Sequence, residues 1–258
     1  MLHPIRTSGN RPPFFILHGL HGVMPLGHIM SAGLGADQPL YVLNAPGIDG
    51  REPPHTRMED MAADYLGKIR QARPSGPYIL GGICAGGLLA MELARALWSQ
   101  GEPVGTVVLV DPPLMPFSRV PIQRTINPTD PFIYRQLYEN TEKALLRYTE
   151  HWDGLPYDAR DPAGMRAAVE TGIATTVMFY RYVPPVFDGP TEFIISAERA
   201  LAHFHPEGPW KSVVPSPGRF HVIPGDHDDF FFKHLDAVIR LVRFSLNSAV
   251  FSGSRAVA

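Results

Sequence analysis

The chain's single cysteine lies in Gly82-Ile83-Cys84-Ala85-Gly86-Gly87. A short apolar run, Tyr78 to Leu80, precedes it, and Leu88 to Trp98, rich in Leu, Ala, Met and Glu, reads as a helix after it. A nucleophile at such a strand–turn–helix junction matches the G-x-S-x-G elbow, with sulfur replacing the hydroxyl. The turn is tight and strained, so the residues two before and two after the nucleophile must be small. The helix N-terminus behind the sulfur carries partial positive charge, which favours thiolate over thiol. That is the setting for nucleophilic attack on an acyl group. A lone cysteine in a Gly-rich turn can also be inert packing, so the reading depends on a base and an acid accompanying it.

His227 is the strongest base among eleven histidines. It sits in Pro224-Gly225-Asp226-His227, after the last apolar run and before a C-terminal helical pattern, which suits the chain order nucleophile, acid, base. Two residues compete for the acid: Asp111, which ends the run Val107 to Val110, and Glu198, which follows the run Phe193 to Ile195. His18-Gly19-Leu20-His21-Gly22 leaves the first apolar run as an oxyanion-hole type of turn. A backbone N–H from Leu20 or His21 would pair there with that of Ala85; the sequence does not choose between them. No H-E-x-x-H spacing occurs. His203-Phe204-His205 could ligate a metal but reads better as an exposed loop.

These residues need a scaffold. Phe14 to Leu17, Leu40 to Leu43, Tyr78 to Leu80, Val107 to Val110, Phe193 to Ile195 and Phe220 to Ile223 read as strands buried on both faces, as in a parallel sheet. Helical patterns separate them. Thr56-Arg57-Met58-Glu59 matches a capping box, followed by a stripe through Met61, Ala62, Tyr65 and Ile69, and Phe230 to Leu246 reads as one C-terminal helix. Strand alternating with helix predicts an α/β fold with a mostly parallel sheet. Between Val110 and Phe193 no strand pattern occurs. Phe132 to Tyr148 and Met165 to Tyr182 look helical, and Pro and Gly punctuate the segment's ends. Residues 116–185 are therefore expected to form a helical insertion, with the stretch from Pro116 to Trp152 as a lid and the second helix as an ordinary crossover.

The 258 residues suit one domain spanning 1–258. With 23 basic and 25 acidic residues, the charge balance gives no electrostatic footprint for nucleic acid. No apolar run is long enough to span a membrane, and Met1 to Pro13 lacks the apolar core of a signal peptide. One cysteine permits no intramolecular disulfide. Together these lead to the expectation of a cytoplasmic enzyme.

Across nearly its whole length the chain resembles the terminal, type I thioesterase domains of nonribosomal peptide and polyketide synthases, members of the α/β-hydrolase superfamily. The residues carrying the resemblance are Phe14 to Gly19, Asn44-Ala45-Pro46-Gly47, Gly76 to Gly82 leading into the elbow, Asp111, and Gly225-Asp226-His227. The resemblance implies a triad of Cys84, Asp111 and His227, with cysteine standing where the family usually has serine. It implies a substrate chain held as a thioester on the phosphopantetheine arm of an acyl or peptidyl carrier protein, with no resident cofactor. Release would be hydrolysis or closure of a lactone or lactam. Stand-alone editing thioesterases are resembled less. A small-lactone hydrolase of the dienelactone-hydrolase type would use the same Cys and His but place its acid one strand later, where Glu198 stands. Polyhydroxyalkanoate synthases share the Gly-x-Cys-x-Gly-Gly box but are considerably longer, and a non-catalytic scaffold fits poorly with elbow, base and acid together.

Overall fold

The computed structural model describes residues 1–113, 126–203, 209–215 and 218–249. Within them seven strands form one sheet: β1 (Leu2–Arg6), β2 (Phe14–Leu17), β3 (Leu40–Leu43), β4 (Ile79–Ile83), β5 (Val107–Val110), β6 (Thr191–Ser196) and β7 (Arg219–Ile223). Their order is β1-β3-β2-β4-β5-β6-β7. All neighbours run parallel except β1, which lies antiparallel on β3. The β2, β4, β5 and β6 side chains are buried throughout, as the continuous apolar runs require of strands covered on both faces. This is the α/β-hydrolase fold.

Nine helices complete the described residues: α1 (Gly27–Leu34), α2 (Met58–Ala72), α3 (Gly86–Ser99), α4 (Pro131–His151), α5 (Pro162–Arg181), α6 (Ala197–His203), α7 (Pro209–Val213), α8 (His227–Phe232) and α9 (Leu235–Asn247). Two expectations need correction. Thr56 is not the cap of α2. The extended residue Arg57 takes that place without a side-chain hydrogen bond, and Glu59 and Asp60 face the helix dipole instead. The C-terminal helix is also two helices. The N–H groups of Lys233 and His234 both reach back to the Asp229 carbonyl, ending α8, and α9 restarts from His234.

The long insertion holds two dissimilar helices. In both, an aspartate caps the N-terminus ahead of a proline at the first helical position. Asp130 accepts from Phe132 N at 2.9 Å, and Asp161 from Gly164 N at 3.0 Å. α5 is built into the molecule: eleven of its residues are buried, and Phe179 and Met178 belong to the main core. α4 buries only Thr141 and Leu145 along 21 residues. Leu145 anchors it in a second, smaller core with Val23, Ile48, Val169 and Ile173. The expected lid segment from Pro116 to Thr125 lies outside the described residues, as do Phe204 and His205.

The exit of β4 is the most crowded point of the backbone. Cys84 takes φ of +53° and donates its N–H to the Val110 carbonyl at 2.8 Å. A Cβ on Gly82 would lie 2.1 Å from the Gly86 carbonyl carbon, and one on Gly86 would lie 2.2 Å from the His18 carbonyl oxygen. Both contacts are with backbone, which cannot move aside without opening the turn. Gly82→Ala should therefore lower unfolding free energy by about 3 kcal/mol. Gly67→Ala, on the exposed face of α2 with nothing within 4 Å of the added carbon, should raise it by about 0.5–1 kcal/mol. Urea denaturation of the two variants checks both signs.

Candidate active site

Every residue that could do chemistry leaves a strand at the same edge of the sheet. Strand register sets this: Ile83 is opposite Val110, and Val110 is opposite Ile194. Cys84, Asp111 and the residues after Ser196 therefore emerge side by side, and His227 follows β7 at the head of α8. Asp111, like Cys84, has positive φ, +44°, a conformation that costs a non-glycine residue energy and turns its side chain back toward its neighbours.

Asp111 is fully buried. Its Oδ1 accepts the Ser196 backbone N–H at 2.8 Å, and its Oδ2 lies 2.5 Å from His227 Nδ1. Burial pushes the carboxyl pKa up. The His227 hydrogen bond, the Arg199 charge and the Ser196 N–H outweigh it, so the group stays ionised, below the usual carboxylate range. The other side of the imidazole engages Cys84. Burial raises the Cys84 thiol pKa, but the nearby His227 charge, its hydrogen bond, Arg199 and the Ala85 N–H together bring it below the ordinary thiol value. For His227 burial again works against charge, and Cys84 and Asp111 prevail, raising it to about 9. Each group thus favours the charged form of the other, thiolate on Cys84 and imidazolium on His227.

Cys84 is 8% exposed and opens into a cavity of about 340 Å³. Leu20 and His21 form one wall. They occupy the centre of a turn closed by Gly22 N–H to the Gly19 carbonyl at 3.2 Å, which leaves their own N–H groups outside that bond. Gly19 passes so near that a Cβ on it would sit 3.3 Å from Cys84 Cβ. Ala85, completely buried, directs its N–H to the sulfur. The His21 ring is 3.2 Å from the Tyr148 hydroxyl through Nδ1, and burial beside His227 holds it neutral, with a pKa near 4. His18 points elsewhere. It is buried between the Gly19 carbonyl and the Tyr65 hydroxyl, both at 2.8 Å, and supports the loop.

Glu198 is exposed in the first turn of α6, and its backbone N–H goes to the Gly225 carbonyl. The position reaching Asp111 from this strand end is Arg199, which the sequence did not single out. Arg199 Nη1 hydrogen-bonds the Asp111 carbonyl oxygen and lies 3.2 Å from its Oδ2. Its only signal in the sequence was a cationic side chain just past a strand that ends on the same edge as Cys84 and Asp111. The roof of the cavity comes from α4 and α8. Ala144, Arg147 and Tyr148 of α4, with Trp152 just beyond it, meet Phe231 and Phe232 of α8. Trp152 stacks on Phe232 at 5.2 Å, Arg147 Cζ sits 4.0 Å over the same ring, and Arg147 bonds Asp228 at 2.7 Å. Among the described residues no group of three or more His, Cys, Asp or Glu is placed to hold a metal ion, and no helix is long and apolar enough to cross a membrane.

Comparison with known proteins agrees with the fold. A dimodular nonribosomal peptide synthase of Bacillus subtilis is 40% identical over 111 residues, 43% of this chain and 5% of that protein. Malpinin synthetase of Mortierella alpina is 41% identical over 113 residues, 44% of this chain and 2% of that protein. The chain thus corresponds to a small part of these relatives. Among solved structures, the NocB thioesterase domain in covalent complex with a fluorophosphonate nocardicin G analogue superposes with a TM-score of 0.73 at 21% identity, covering 96% of this chain and 100% of that one. The type II thioesterase BorB of the borrelidin cluster gives 0.66 at 20% identity, covering 95% and 97%. At these identities the likeness is one of fold. Residues 15–246, from β2 to the end of α9, match the thioesterase domain family, and the chain belongs to that family.

Proposed function

We propose that the protein releases an acyl or peptidyl chain from the phosphopantetheine thioester of a carrier protein, as part of nonribosomal peptide or polyketide synthesis, through a covalent intermediate on Cys84. The observation carrying this reading is the position of His227 between Cys84 and the buried Asp111. The synthase relatives supply the substrate class. The Cys84 thiolate attacks the thioester carbonyl, the Ala85 N–H and that of Leu20 or His21 hold the oxyanion, and imidazolium His227 gives its proton to the departing pantetheine thiolate. Neutral His227 then takes a proton from the second nucleophile, and Cys84 leaves as thiolate. The exposed Glu198 argues against the small-lactone hydrolase with its acid on the later strand.

Cysteine suits ring closure. Exchange of one thioester for another conserves acyl-transfer potential that an oxoester on serine would lose, and a hydroxyl or amine of the substrate can then attack. The apolar cavity under α4 favours the same outcome by restricting water. In this reading α4 is the lid, loosely attached along its length and clasped at its C-terminal end by Arg147–Asp228 and Trp152–Phe232. Phe232→Ala together with Asp228→Asn should loosen that end and raise the share of linear acid. An unchanged product ratio would refute the lid assignment.

Incubation with an acyl N-acetylcysteamine thioester should add one acyl mass to Cys84, and Cys84→Ala should abolish both adduct and turnover. Persistent turnover in Cys84→Ala would overturn the mechanism. Asp111→Asn should lower kcat/KM by about 10²-fold, while Glu198→Gln stays near wild type. Because Cys84 is lowered and His227 raised to about 9, the rate of Cys84 alkylation by iodoacetamide should reach half its plateau at a lower pH than that of a free thiol. Above the His227 pKa the imidazolium loses its proton and acylation by substrate should decline. Product analysis on a native chain thioester, wild type against Cys84→Ser, tests the cyclisation argument. Linear acid from both at similar rates would remove it.

A further inference from the structure

Arg199 is placed oddly for a group with no part in the reaction. It enters from α6, is only 18% exposed, and lines the cavity beside Cys84. One nitrogen, Nη1, serves both the main-chain carbonyl of Asp111 and its Oδ2, the same carboxylate oxygen that holds His227 Nδ1. Its own backbone N–H is tied to Ser196 Oγ. The guanidinium therefore braces a residue in the left-handed region and competes with the imidazole for one oxygen.

We propose that Arg199 is a positioning residue that divides the attraction of Asp111 for His227, so that the imidazole can serve as base once Cys84 carries an acyl group. The inference rests on the acyl-enzyme mechanism above and adds a reason for a cation in it. A thiolate–imidazolium pair is well suited to the first half of that reaction and poorly suited to the second. While Cys84 is anionic, His227 holds its proton tightly. After the carbon–sulfur bond to Cys84 forms and His227 has protonated the pantetheine thiolate, the imidazole must remain neutral to accept a proton from water, a hydroxyl or an amine.

At that stage the sulfur is uncharged. The groups facing His227 are Asp111 from the β5 exit, Arg199 from α6, His21 from the loop after β2 and Phe231 from its own helix, with ring centroids 5.0 Å apart. His21 is neutral, and the next charges, Arg147 and Asp228, are joined to each other. Asp111 alone would keep the imidazole protonated. Burial and Arg199 are the influences that oppose it. In the free enzyme the same cation favours the Cys84 thiolate, so both halves of the cycle gain.

The test uses the single cysteine. Methyl methanethiosulfonate converts Cys84 to a neutral mixed disulfide that stands in for the acylated sulfur, and the His227 ring is titrated by NMR, assigned by loss of its signal in His227→Gln. Arg199→Gln should raise the His227 midpoint by about one pH unit, and Arg199→Lys, which keeps the charge, should return most of the shift. Single-turnover decay of the octanoyl enzyme formed from octanoyl-N-acetylcysteamine should fall about tenfold in Arg199→Gln below that midpoint and approach wild type above it. Equal midpoints in wild type and Arg199→Gln would overturn the proposal. So would decay slowed equally at every pH, the mark of a purely structural role, or a Lys variant displaced as far as the Gln variant. Failure of wild type to form any octanoyl adduct would instead defeat the mechanism on which the inference rests, and the titration would still decide whether Arg199 acts on His227.

Discussion

The close crossing of three backbone segments at the exit of β4 governs this molecule. The chain leaves the sheet at Gly82, reverses at Cys84 in a left-handed conformation, and returns as α3 at Gly86 with the His18 carbonyl pressed against it. Side chains are excluded there, so the sulfur is the first group to protrude. The direction of the Cys84 Cβ follows from the main chain. The loop after β2 is brought up by the same contact, which is why Leu20 and His21 line the cavity beside Cys84.

Around that point the sheet acts as a ruler. Parallel strands in register deliver Cys84, Asp111 and Arg199 to neighbouring ends, and His227 is carried in by the turn after β7. Arg199, Asp111, His227 and Cys84 then form a chain of contacts. Burial works against charge on Asp111, His227 and Cys84, and neighbouring charges and hydrogen bonds offset it. Substituting one member is therefore expected to perturb the others, and single-residue energies in this cluster should not add.

Much of this was legible in residue types. Glycine around Cys84, apolar runs without alternation, and Gly-Asp-His before the last helix each have one economical structural reading, and the fold and the strand–turn–helix elbow followed from them. The choice of Asp111 over Glu198 came from family resemblance; the residues alone left it open, because both end strands on the same edge. What was missed has physical causes. β1 is short, half-buried and interrupted by Pro4, so it lacks the continuous apolar signature of the inner strands. The capping box at Thr56 failed because a cap depends on backbone dihedrals, and Arg57 is extended. Arg199 was invisible because a cation's role depends on what lies across from it. The Asp-Pro pairs at 130–131 and 161–162 were readable as helix starts and would have fixed α4 and α5 more closely.

β1 also bears on how the protein behaves at high concentration. It borders the sheet, and a bordering strand offers unpaired amide groups to any other extended chain. Here the ladder with β3 slips between Pro4 and Arg6, one position has no N–H to donate, and Arg6 is held by the Gly35 carbonyl. A proline, a bulge and a tethered cation within five residues make a poor template for strand addition. That irregular border should limit self-association by strand pairing without enlarging the core.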